Sequence, residues 1–198
     1  MSGTAAQMKR PAGLSKSRLT LFEQCPKRLW LSVFRPELAQ DGGLVRHAMR
    51  EGNDIGAIAY SLYPDGHMIE AQNGLAAACD ETGSLLASGW RRPIFEATFA
   101  HDGVLVRVDL MLPTDDGWHI AEVKGTTGVK AYHLSDLATQ IWVVRENGIR
   151  PARTSIRHLD RQFRLKHSGD YAGLFVDSDV GASIDAIIDE RPAQVAAA

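Results

Sequence analysis

Arg107–Gly125 reads RVDLMLPTDDGWHIAEVKG, and its periodicity decides the fold. Val104 to Leu112 alternates with a period of two, as a strand with one buried face does. Val104, Val106, Val108 and Leu110 fall on one side of it, and Leu105, Arg107, Asp109 and Met111 on the other. Pro113-Thr114-Asp115-Asp116-Gly117 is a turn. Trp118 to Lys124 is a second strand, in which Ile120, Glu122 and Lys124 share a face. A hairpin of the two brings Asp109 near Glu122 and Lys124. Burying such charges together costs several kcal/mol of desolvation unless they compensate one another or a ligand.

Two carboxylates a few ångströms apart make an oxygen-rich site for Mg²⁺ or Mn²⁺, hard ions that also bind phosphate oxygens. An ammonium beside them orients a water or neutralises charge growing on phosphorus. The same residues also fit a surface hairpin with an i,i+2 Glu/Lys pair and a solvent-facing Asp. The triplet alone leaves both readings open.

Before this hairpin, Ile94–Phe99 is β-like and His101-Asp102-Gly103 a turn. Tyr132–Asn147 predicts a helix with Leu134, Leu137, Ile141 and Val144 on one stripe. Arg153–Leu159 reads as the last strand and Ile184–Glu190 as a short terminal helix. Upstream, Ser15 or Ser17 caps a helix reaching Trp30, kinked or divided at Pro26, with Cys25 packed inside it as a small apolar residue. Asp54–Tyr63 is a helix ended by Pro64-Asp65-Gly66, and Asn73–Ser88 another, ended by Gly89. The pattern predicts an α/β domain over residues 14–190 with a central mixed sheet flanked by helices, between loose tails at 1–13 and 191–198.

A chain of 198 residues, 44% hydrophobic, suffices for one domain with a sizeable core. No apolar run reaches the length of a membrane span, and Met1–Gly13 lacks a signal-peptide core, so a soluble cytoplasmic protein is the expectation. The two cysteines, Cys25 and Cys79, show no metal-ligand spacing. Charge is segregated. Residues 1–50 carry nine Lys/Arg against three Asp/Glu, residues 51–144 five against thirteen, and residues 145–167 seven against two. Basic blocks flanking an acidic centre suit a polyanion held over a cation site, although charge runs also serve as plain solvated faces.

RVDLMLPTDDGWHIAEVKG resembles the D…ExK signature of the PD-(D/E)XK nuclease superfamily, and HLSDLATQIWVVRENG resembles the glutamine-bearing helix of its RecB-like branch. LSKSRLTLFEQCPKRLWL is similar to the segment that opens RecB-like and CRISPR-associated exonuclease domains. EGNDIGAIAYSLYPDG and RHLDRQFRLKHSGDYAGLF fit the same branch. Five segments in order cover most of residues 14–190.

The resemblance implies a restriction-endonuclease-like core and a divalent-metal-dependent deoxyribonuclease, an exonuclease of RecB-like type. It makes Asp109 and Glu122 metal ligands with the carbonyl of Val123, and Lys124 the catalytic lysine. Glu96 completes the metal shell, directly or through water. Gln140 braces the active site or approaches DNA, though it also fits as a polar residue on an amphipathic helix. Lys16, Arg18, Lys27 and Arg28 are expected to contact phosphates, as is Lys130; each also fits as an ordinary solvated cation. DNA, as single strands or duplex ends, is the expected partner, with a helicase or a repair or defence component as a further one.

Three departures qualify this. Where relatives place a metal-binding histidine four residues after a glycine, Gly52 is followed by Gly56, with His47 out of register. Cys25 stands where a first iron–sulfur ligand would be, but the C-terminal cysteine triple is missing, so no cluster is expected. Val144 stands where an aromatic residue is usual, with Trp142 close by. A catalytically weak or inactive nuclease-like module that binds DNA or serves as a scaffold is the alternative.

Overall fold

The structure, a computed structural model, describes residues 13–39, 52 and 54–198. Most of the expected N-terminal tail, and His47, lie outside them. The chain forms an α/β fold with a seven-stranded mixed sheet flanked by helices.

Strand β1 (Leu14–Ser15) leads into α1 (Lys16–Gln24) and α2 (Pro26–Phe34). Ser15 caps α1 by accepting the amide of Arg18. Pro26 divides the helices. A residue before proline is pushed out of the α region, and Cys25 is extended (φ −171°, ψ 119°), ending one helix and opening the next. Cys25 is therefore exposed at the break rather than packed within a helix.

Helix α3 covers residues 54–61. After it come β2 (His67–Met68), α4 (Leu75–Ala87), β3 (Ile94–His101), β4 (Val104–Thr114) and β5 (Gly117–Lys124). Helix α5 (Ala131–Glu146) crosses to β6 (Arg153–Leu159), and β7 (Phe175–Asp179) and α6 (Gly181–Ala197) finish the chain. The sheet order is β2-β3-β4-β5-β6-β7, with β3–β4–β5 antiparallel, β5–β6 parallel and β1 parallel to β4. Strand β6 is thus not the last, and α6 runs on through the segment expected as a loose tail. Pro192 sits inside that helix, whose end is anchored by the fully buried Arg191 and by Val195 against the core. Arg191 donates to Glu23 and to Ser135.

The core lies between the sheet and α4, α5 and α6, and α5 is so enclosed that Leu137 through Val144 are all buried. A smaller cluster of Phe95, Leu110, Leu112, Ala121 and Ala59 packs with Tyr60 of α3 and with Tyr63 just after it. The alternation expected along β4 changes phase within the strand. Val104, Val106, Val108 and Met111 enter the main core, while Leu110 and Leu112 join the cluster against α3. Strand β3 shifts at the same level, with Phe95 in the α3 cluster and Ile94, Ala97 and Phe99 in the core. The shift occurs at Glu96, which has φ +56°, a left-handed conformation uncommon for a side-chain-bearing residue.

Candidate active site

The candidate side chains meet where β5 parts from β4. The β3–β4 register, recorded on both sides of Glu96, sets that residue opposite Asp109. The β4–β5 ladder runs from Thr114↔Gly117 to Leu110↔Ala121, and one further step in that register sets Asp109 opposite Glu122. There the backbone ladder stops, and the amide of Val123 donates to Oδ2 of Asp109 at 2.7 Å. Glu96, Asp109 and Glu122 thus form a row across three neighbouring strands. With Gly56, Tyr60 and Val123 they line a cleft of about 500 Å³.

Strand β1 explains what enters the gap. It pairs with Val104 and Leu105 of β4, below the point where β5 parts from that strand, so the chain leaves β1 at Lys16 facing the opening. The Lys16 ammonium is 2.7 Å from Oε1 of Glu122. Lys124 is 2.8 Å from the same oxygen and 3.0 Å from Oδ2 of Asp136. Thr20, one turn after Lys16, places its hydroxyl 3.0 Å from the other Asp136 oxygen. Gln140 is fully buried and donates its amide to Oε2 of Glu122. Glu96 is held aside by the Tyr60 hydroxyl at 2.7 Å and by Arg107 Nε at 3.2 Å.

The electrostatics follow from this crowding. Burial, then the neighbouring Glu122, push the Asp109 carboxyl up to about 7, against the pull of Lys16 and the Val123 amide. Burial also opposes ionisation of Glu122, but Lys16 and Lys124 outweigh it and hold that carboxyl down at about 2. For Lys124 burial favours the neutral amine, yet Glu122 and Asp136 prevail and its pKa is raised. Burial and the charges of Asp109 and Glu96 raise Tyr60 and keep it a phenol.

Asp109, Glu122, Lys124 and Gln140 therefore meet at one place, with Glu96 at its margin. Lys16, expected at a phosphate, has its ammonium on Glu122. Arg18 donates to the carbonyl of Gly13, Lys27 and Arg28 are exposed on α2, and Lys130 is exposed at the start of α5 with its ammonium 5.8 Å from the centre of the Tyr132 ring. None of these four joins the cluster.

Sequence reasoning missed Tyr60, Arg107, Asp136 and Thr20. Two were within reach of helical spacing, since Asp136 precedes Gln140 by four residues and Tyr60 follows Gly56 by four, which places each pair on one face. Gly56 itself lines the cleft. A Cβ there would make only ordinary contact, 3.5 Å from the Tyr60 hydroxyl.

Among the described residues no three His, Cys, Asp and Glu side chains converge as a metal-holding group. Asp109 and Glu122 nonetheless fit a hard divalent ion. Both are oxygen donors, and the Asp109 carboxyl, raised first by burial and then by the neighbouring Glu122, is one whose ionised form a bound divalent cation would favour. No family model matches the chain, and no curated protein matches it significantly.

Proposed function

We propose that this protein is a divalent-metal-dependent deoxyribonuclease of RecB-like type, hydrolysing DNA phosphodiester bonds. One observation carries the reading: Glu96, Asp109 and Glu122 lie in register across β3, β4 and β5, with Lys124 on Glu122. The mixed sheet flanked by helices agrees with the fold that the sequence resemblance implies.

Asp109 and Glu122, with the carbonyl of Val123, would hold Mg²⁺ or Mn²⁺. Such an ion supplies a water of lowered pKa and neutralises charge on the phosphoryl oxygens. Gln140 fixes the rotation of the Glu122 carboxylate through Oε2. Lys124 is kept protonated between Glu122 and Asp136, so it orients the attacking water or stabilises charge on the phosphate and does not accept the proton. Glu96, held by Tyr60 and Arg107, would complete the ion's shell directly or through water.

The donor pattern around Glu122 favours one alternative, a nuclease-like module that binds DNA without cutting it. Both of its carboxylate oxygens already accept hydrogen bonds from protein donors, and Gly56 brings no imidazole. Incubating the protein with labelled DNA in Mn²⁺ and in EDTA separates the two. Products in Mn²⁺ alone support the nuclease; retention of intact DNA under both conditions supports the binding module.

A further inference from the structure

We propose that Lys16 is a built-in competitor of the divalent cation: its ammonium occupies the cation position at Glu122 and must swing out before a metal ion can bind. The inference rests on the metal-dependent reading above and assigns this chain its own control on metal affinity.

Oε2 of Glu122 takes the amide of Gln140, while Oε1 takes both Lys16 at 2.7 Å and Lys124 at 2.8 Å. A cation coordinating Oε1 displaces an ammonium, and the two lysines are not equally held. Lys124 has a second carboxylate, Asp136, at 3.0 Å, itself hydrogen-bonded to Thr20. Lys16 has no second carboxylate within salt-bridge distance among the described residues. Exposure does not separate the two, at 21% for the Lys16 side chain and 19% for that of Lys124, so the second carboxylate decides which ammonium is free to leave. Lys16 is thus the ammonium that leaves, and Lys124 stays. Since β1 holds Lys16 at the opening between β4 and β5, the competition is intramolecular and acts at a fixed high local concentration.

Two measurements test this. Mn²⁺ affinity, read from the electron paramagnetic resonance of the free ion, is compared for wild type, Lys16→Met, and Lys130→Met as a control for simple loss of positive charge. Acetic anhydride labelling of wild type, quantified at Lys16 by mass spectrometry with and without Mn²⁺, reports displacement and needs no variant. The expected result is at least about tenfold tighter binding in Lys16→Met, less than about twofold change in Lys130→Met, and a rise in Lys16 labelling on adding Mn²⁺. Tighter binding in the variant with Lys16 labelling unchanged in wild type overturns displacement and leaves only charge repulsion. Equal Mn²⁺ binding by all three proteins overturns the inference and spares the metal-dependent reading. If none binds Mn²⁺, both fall.

Discussion

The amide of Val123 donates to Oδ2 of Asp109 across the point where β4 and β5 part, so the strand that carries Glu122 and Lys124 is tied to the neighbouring carboxylate by a side chain instead of a backbone ladder. That one bond favours the ionised Asp109, but burial and then the neighbouring Glu122 outweigh it and push the carboxyl up to about 7.

A pH signature follows. The folded-state pKa of Asp109 lies above its ordinary 3.8, so the stability it contributes is full below about pH 4 and is lost as pH rises through about 7. His133, pushed down to about 4 chiefly by burial, has the opposite slope over part of that window, so the wild-type curve alone is not diagnostic. The comparison with Asp109→Asn is. Without metal, the variant should gain melting temperature relative to wild type as pH goes from 4 to 8. A constant difference across that range would contradict the assignment.

Asp136 positions Lys124. Asp136→Asn should keep the fold and lower cleavage by about 10- to 100-fold, the usual effect of removing a group that orients an active-site side chain. Mn²⁺ affinity should change much less, because Asp136 is not a proposed ligand. Equal losses in rate and in metal affinity would place Asp136 among the ligands.

Gly56 leaves an open place on the cleft wall. Its Cβ would meet nothing closer than the Tyr60 hydroxyl at 3.5 Å, and it sits on the helical segment facing Asp109 and Glu122. Gly56→His should supply an imidazole and tighten Mn²⁺ binding by about tenfold, or about 1.4 kcal/mol. Titration of both proteins decides it; unchanged affinity means that the imidazole does not reach the ion.

Away from the site, Arg157 pairs with both oxygens of Asp177 at 2.7 Å and donates to the Tyr63 hydroxyl, joining β6, β7 and the segment after α3. Arg157→Ala leaves Asp177 without its guanidinium in a largely buried place, so it should cost about 3–5 kcal/mol in urea unfolding. A loss below 1 kcal/mol, the range of an exposed pair, would show that water replaces the guanidinium.

The hairpin, the α/β class and the long helices were legible because their signals are local: period-two valines, a Pro/Asp/Gly turn, and helical stripes bounded by Gly and Pro. The phase change at Glu96 was not. It depends on a left-handed backbone at a glutamate, held by Tyr60 and Arg107 from elsewhere in the chain, and it moved Leu110 and Met111 to the faces opposite those that alternation assigns. Strands β1 and β2, two residues each, are too short to show a period. Strand β7 (FVDSD) has too few apolar residues to stand out, and is made a strand by pairing with β6. The D…ExK spacing on a hairpin was enough to bring Asp109, Glu122 and Lys124 to one place. The approach of Lys16 to Glu122 spans 106 residues of sequence and arises only when β1 docks on β4.

Metal-dependent hydrolysis is tested by cleavage of end-labelled single-stranded, double-stranded and closed circular DNA in EDTA, Mg²⁺ or Mn²⁺, comparing wild type with Lys124→Ala. Metal-dependent products are expected from wild type and none from the variant, itself folded by circular dichroism. Products of equal amount from both proteins, or cleavage that persists in EDTA, would contradict it.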